Sequence, residues 1–199
     1  MITQFPTDIA DVDDSTLVAL ANLLNRHQSL FTEQGMPGPT VEFDAQWTSE
    51  CIYGSKDQNR QVTWKPVRRS YRNTFTDMEE ALEKKFHPSV VTFYCSHWSD
   101  GIWGEFANEQ ISLIQVWNDD DLDMLKKNLL GHAFAKHKNR LPLTLFIGCT
   151  SDDDIVSVDN ESGQVIVEKP GKKAFRVLAD NLATFLDGFT PSTRPYSGE

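Results

Sequence analysis

At 199 residues the chain is long enough for one sizeable core and too short for two full domains to be a good expectation. A composition of 39% apolar and 11% aromatic residues supplies enough apolar surface to offset ordering entropy, which argues against disorder. Nineteen Lys and Arg against 29 Asp and Glu leave a net charge of −10, which argues against nucleic acid and anionic lipid as direct partners and favours basic ones.

Asp14-Ser15 can cap a first helix whose Leu17, Leu20, Leu24 and Phe31 share one face, with Gly35 as its stop. The segment 35–72 reads as loop-rich, with a strand around Val62–Trp64. Thr76-Asp77-Met78-Glu79 has capping-box spacing and predicts a short helix ending near Phe86. Beyond Pro88 the runs 90–95, 102–107 and 111–117 are rich in β-branched and aromatic residues and predict a meander. Helical spacing over 119–138 closes that group. Runs 143–150, 155–159 and 164–168 predict a second β group, with Asn160–Gly163 as a hairpin turn. A last helix over 175–188 carries Phe175, Leu178, Leu182, Phe185 and Leu186 at helical spacing. Short turns between strands favour antiparallel pairing, so the expected fold is α+β: one domain over 1–189, a mainly antiparallel sheet with helices packed on it, and a frayed tail over 190–199.

Cys51, Cys95 and Cys149 are widely spaced and form no CxxC pair, so reduced thiols in a cytosol are expected, with neither a disulfide framework nor a zinc knuckle. The opening MITQFPTDIADVDD lacks the basic and apolar regions of a signal peptide. No apolar run approaches the ~18 residues of a membrane span.

Motifs for catalysis are missing. His132 and His137 point to different faces of a helix, unlike the pair in HExxH, so no metal site is expected, and His132 is better read as a helix packing contact. There is no GxSxG elbow, no phosphate loop and no GxGxxG, and the acidic triplets Asp119–Asp121 and Asp152–Asp154 are consecutive where an EF-hand alternates. No cofactor is expected. Paired carboxylates acting as acid and base remain the one enzymatic alternative.

The acids are unevenly placed. Between Lys85 and Lys126 there is no Lys or Arg, while Asp100, Glu105, Glu109, Asp119, Asp120, Asp121 and Asp123 fall there. A second run without bases holds Asp152, Asp153, Asp154, Asp159 and Glu161, and the N-terminal segment adds Asp8, Asp11, Asp13 and Asp14. A helix beginning near Asp119 explains one or two of the triplet, because carboxylates in a first turn offset the exposed N–H groups and the partial positive charge there. Leu122, Leu125, Leu129 and Ala133 then trace its buried face and leave Asp120, Asp123 and Lys127 outward. If Asn108-Glu109 is a two-residue hairpin loop, Ala107 opposes Gln110 and Asp100 comes opposite Trp117. Asp100 and the Asp119–Asp123 cluster then share one end of the sheet around Trp117. An acidic rim about an aromatic suits a basic peptide loop, through ion pairs and a cation–π contact; the alternative is that Trp117 belongs to the core.

VVTFY (90–94), GEF (104–106), SLIQVWNDDDL (112–122), KKNLLGH (126–132), LPLTLFI (141–147) and SVDNESGQV (157–165) together resemble the Syd family, with IYG (52–54) and VTWKPV (62–67) as weaker matches. The basic run Arg68, Arg69 and Arg72 has no counterpart there. The resemblance implies an α/β protein of the SMI1/KNR4-type group, and a non-catalytic, negatively charged concave face for the basic cytosolic loops of SecY. It implies a cytoplasmic protein attached peripherally, through that protein partner, to the cytoplasmic face of the bacterial inner membrane. Trp117, Asp119, Asp120 and Asp121 carry the acidic role by resemblance; Asp100 and Asp123 join them from register and helix phase alone. The competing expectation is an immunity-like protein that neutralises a basic toxin.

Overall fold

The computed structural model describes residues 12–70 and 74–193. Asp8, Asp11, Arg72 and most of the expected tail lie outside the described residues. Asp13 accepts the Thr16 N–H at 3.1 Å and starts α1 (Asp14–Glu33), which buries Leu17, Leu20, Leu23, Leu24, His27 and Phe31. The segment expected to be loop-rich holds three short strands, β1 (Thr40–Glu42), β2 (Ile52–Tyr53) and β3 (Gln61–Trp64), paired antiparallel in the order β1-β3-β2. A fourth, β4 (Val67–Arg68), follows.

The next helix, α2 (Thr76–Leu82), departs from the expected capping box. Its N-cap is Phe75, with no side-chain cap, and it ends where Glu83 turns left-handed. Glu79 instead accepts the Phe86 N–H at 2.9 Å and pairs with Lys85 at 2.7 Å, closing the loop after the helix.

The run 90–95, expected as a strand, is a helix: α3 (Pro88–Cys95). His87 caps it by accepting the Ser89 N–H, and Pro88 takes its first turn, where a missing N–H costs nothing. Val90, Thr92, Phe93, Tyr94 and Cys95 are all buried, so the helix is apolar almost all round. A short apolar run of that kind cannot be told from a buried strand by periodicity.

β5 (His97–Trp98) pairs with β4, and β6 (Ile102–Phe106) then turns into β7 (Glu109–Leu113). The turn residues are Ala107 and Asn108, both at positive φ (52° and 64°), the geometry that matches strand twist in a two-residue hairpin. Phe106 therefore opposes Glu109, a two-residue shift from the expected pairing that leaves every side chain on its expected face.

α4 (Asp119–Lys138) buries Leu122, Leu125, Leu129 and Ala133 as expected. After it come β8 (Thr144–Thr150), β9 (Ile155–Asp159) and β10 (Val165–Glu168). The expected last helix divides into β11 (Arg176–Ala179) and α5 (Leu182–Gly188) at Asn181, whose side chain accepts the Thr184 N–H at 2.8 Å. Phe175 is left 55% exposed. Finally β12 (Thr190–Pro191) adds to the sheet within the stretch expected to fray. A Cβ on Gly104 would lie 2.3 Å from the Thr190 carbonyl oxygen, so only glycine admits that strand.

The two expected β groups are one antiparallel sheet in the order β11-β10-β9-β8-β7-β6-β12. This is the α+β, single-domain architecture expected, with the core between sheet and helices. One buried polar knot ties α4 to that sheet. Glu168, fully buried, accepts from Thr144 at 2.6 Å and Ser157 at 2.8 Å and pairs with Lys136. His132 also meets Thr144 at 2.8 Å. Burial would raise the Glu168 pKa, but bonds from His132, Lys136, Thr144 and Ser157 outweigh it and hold the carboxyl down at about 2. Among the described residues no helix is long and apolar enough to cross a membrane.

Candidate docking cleft

Where α4 begins, the chain is stitched to the loop after β1. Asn118 caps the helix by accepting the Asp121 N–H at 2.9 Å, and Asp121 reaches back to accept the Trp117 N–H at 2.8 Å. Each satisfies a donor the other leaves open, a shifted form of the capping box. The Trp117 indole N–H donates to the Trp47 carbonyl at 3.1 Å, the Asn118 amide donates to the Thr48 carbonyl at 2.8 Å, and the Ser49 hydroxyl donates to the Trp117 carbonyl at 2.5 Å. These bonds hold residues 47–49 against the helix start.

The result is a cleft of about 280 Å³ lined by Glu42, Asp44, Trp47, Asp100, Trp117 and Asp121, with Val41 and Ile52 as apolar wall. Among the described residues none of its four carboxylates forms an ion pair. Burial raises the Asp121 carboxyl above the ordinary aspartate range, against the Trp117 N–H that lowers it. Burial likewise raises Asp100; the Gly101 N–H opposes the rise and the Asp121 charge adds to it. Like charges held close without a cation are a standing electrostatic deficit that a bound cation would relieve.

Of the six residues singled out in the sequence, three line the cleft: Asp100, Trp117 and Asp121. Trp117 is only 7% exposed and packs edge-on to Trp64, with ring centroids 6.0 Å apart. It is a core residue forming a wall, and the more open aromatic is Trp47, which is half-buried. Asp119, Asp120 and Asp123 are exposed on the first turns of α4 and are not part of the lining. Glu42, Asp44 and Trp47 were missed because they sit in the weakly patterned segment. The acid–aromatic series VEFDAQW (41–47) was the available signal. Among the described residues no group of three or more His, Cys, Asp or Glu could hold a metal ion.

The family model described as Syd protein (SUKH-2) matches residues 17–191. The chain belongs to the Syd family. It is 44% identical over 150 residues to Protein Syd of Hahella chejuensis, covering 75% of this chain and 78% of the relative. It is 35% identical to Protein Syd of Pseudoalteromonas atlantica, with 88% and 95% covered, and 35% identical to that of Psychromonas ingrahamii, with 90% and 98% covered. The Syd match begins within α1 and runs to β12, so it includes both walls of the cleft.

Proposed function

We propose that this Syd-family chain is a non-catalytic binding protein that captures a basic cytosolic loop of SecY in the acidic cleft. Four carboxylates with no ion-pair partner among the described residues, gathered beside Trp47 and Trp117, are the observation that carries the reading. Cytosolic loops of membrane proteins are enriched in Lys and Arg, so an acidic protein finds them although anionic lipid repels it. The protein is then held at the cytoplasmic face of the inner membrane through its partner, in a position to sense whether the translocon is assembled.

Each exposed ion pair contributes ~0–1 kcal/mol, so four amount to at most ~4 kcal/mol, a factor of up to roughly 1,000 in affinity. Trp47 and Ile52 add apolar contact. Asp119, Asp120 and Asp123 act outside the cleft, where a screening length of ~8 Å at physiological salt limits them to guiding approach.

The test is capture of SecY-containing membranes at low and high salt. Glu42→Lys/Asp44→Lys, both on exposed positions, should abolish capture, while Asp119→Asn/Asp120→Asn should slow association and leave most of the affinity. Capture by the double lysine variant equal to that of the unaltered protein would remove the cleft from the interface, and salt-resistant capture would mean that apolar contact dominates.

A further inference from the structure

The outward face of α4 has a pattern of its own. Asp120, Met124, Lys127, Gly131, Phe134 and Lys138 follow one another at alternate steps of four and three residues, which places them on one line down a helix. That line lies opposite the buried Leu122, Leu125, Leu129 and Ala133, and all six of its residues are exposed. The solvent side of a surface helix is normally polar, yet Met124 and Phe134 are 46% and 57% exposed. Gly131 weakens a helix interior relative to alanine. A Cβ there would meet nothing within 4 Å, so nothing inside the molecule calls for glycine at that point.

The stripe is complementary to its own reverse. Positions equally distant from Leu129 match in chemistry: Asp120 with Lys138, Met124 with Phe134, and the long Lys127 with the bare Gly131. Steps of four and three are the seam of paired helices, in which side chains of one enter the spaces of the other. When two copies of α4 run antiparallel about a two-fold axis beside Leu129, each position meets its complement, and every contact is made twice. The Met124 thioether then packs against the Phe134 ring of the other copy, a favourable sulfur–aromatic contact. Asp120 meets Lys138 at both ends, and Gly131 makes room for the Lys127 stem. Lys84 stands beside Phe134 in a groove of about 370 Å³ lined by no carboxylate, on the flank that Asp123 of the other copy approaches. Among the described residues Lys84, Asp120, Asp123 and Lys138 form no ion pair.

We propose that the outward face of α4 is a homodimer interface, occupied by a second copy of this chain packed antiparallel on Met124, Gly131 and Phe134. The helix has 20 residues and is about 30 Å long. One pair of such helices belongs at the low end of interface sizes, where complexes are weak and reversible. A net charge of −10 on each copy opposes association over long range, and the matched Asp120 and Lys138 offset it locally. The stripe shares no residue with the acidic cleft, so dimerisation and SecY capture succeed or fail separately.

Sedimentation velocity of the full chain, from micromolar to millimolar concentration at physiological salt, should show a monomer–dimer equilibrium and nothing larger. Phe134→Glu and Gly131→Gln, both at exposed positions, should each weaken it about tenfold or more with the circular dichroism of the monomer unchanged. Asp120→Lys sets like charges against Lys138, and Lys138→Asp sets them against Asp120, so each variant alone should pair about fivefold more weakly than the parent. Mixed in equal amounts, the two variants restore both opposite-charge contacts and should associate as the parent does. Altered folding of either chain would not produce that rescue, which requires an antiparallel pair. A chain that stays monomeric throughout, association undiminished by Phe134→Glu, a mixture no stronger than its components, or growth beyond two copies would each overturn the proposal. So would a monomer whose α4 amide signals shift with phosphatidylglycerol vesicles, which would give the face to lipid.

Discussion

Lys136→Met should cost more stability than any charge change in the docking cleft. Glu168 is 0% and Lys136 2% exposed, and the ammonium bonds both the Glu168 carboxylate and the Lys172 carbonyl, the latter at 3.2 Å. Taking the Glu168 pKa from 4.5 down to about 2 corresponds to roughly 3 kcal/mol, at about 1.4 kcal/mol per pH unit. That lowering is shared by His132, Lys136, Thr144 and Ser157; removing Lys136 forfeits its share and strands the Glu168 charge, and losing one member of a buried pair in this way is expected to cost ~3–5 kcal/mol. For a chain of this size ~2–4 °C of melting temperature goes with each kcal/mol, so Tm should fall by about 6–20 °C at neutral pH. The folded pKa lies below the unfolded one, so the contribution is complete above about pH 4.5 and is lost as pH falls towards about 2. The deficit of the variant should therefore shrink in the same window. Urea unfolding at pH 7 and thermal melts down to pH 3 would follow it. Lys136→Met/Glu168→Gln removes the stranded charge, while the Gln carbonyl can still accept from Thr144 and Ser157, and should recover most of the loss. A single variant within ~0.5 kcal/mol of the parent, or a double variant no more stable than the single one, would refute the reasoning.

Asp100→Asn should raise the melting temperature at neutral pH while weakening SecY capture, because burial and Asp121 raise the Asp100 pKa and so disfavour its charged form in the fold; the stability advantage should vanish as pH falls into the carboxylate range. His27 is 2% exposed, and burial lowers its pKa from 6.5 to about 4. Stability should therefore fall with pH between about 6.5 and 4, by up to ~1.4 kcal/mol per pH unit from this residue, and His27→Leu should flatten that slope in urea titrations. Gly104→Ala brings a Cβ against the Thr190 carbonyl and the Phe189 ring, at 2.3 and 2.4 Å. It should destabilise by ~1–3 kcal/mol and raise amide exchange of Glu105, the β6 residue opposite Thr190.

Helices and hairpins were legible where a local rule sets them, as at α4, where apolar spacing and the acids of the first turn agree. Val90–Cys95 misled because a helix buried on nearly all sides has no polar face to give it a period. The stretch 175–188 misled because Phe175 and Leu178 happen to be in helical phase with Leu182, although Asn181 is the helix cap. At the candidate cleft, Asp100 could be read from register, even with the hairpin loop placed one residue late, because a two-residue slip preserves sidedness; Asp121 came from the family resemblance, and Asp123, chosen by helix phase, is not in the lining. Glu42, Asp44 and Trp47 reach the cleft through tertiary bonds such as Trp117 to Trp47, which no local pattern encodes. The run of three aspartates drew notice as a unit, yet only Asp121 turns inward, since the caps of α4 assign each a different direction.

The two flanks of the main sheet are finished differently. On one side β12 occupies the hydrogen-bonding row of β6; on the other, β11 has no neighbouring strand beyond it among the described residues and carries Val177 at 52% exposure. Ending the polypeptide at Phe189 would strip the first flank as well. The shortened protein would then present two unsatisfied ladders, each able to template another copy, and its characteristic failure would be self-association before loss of the core.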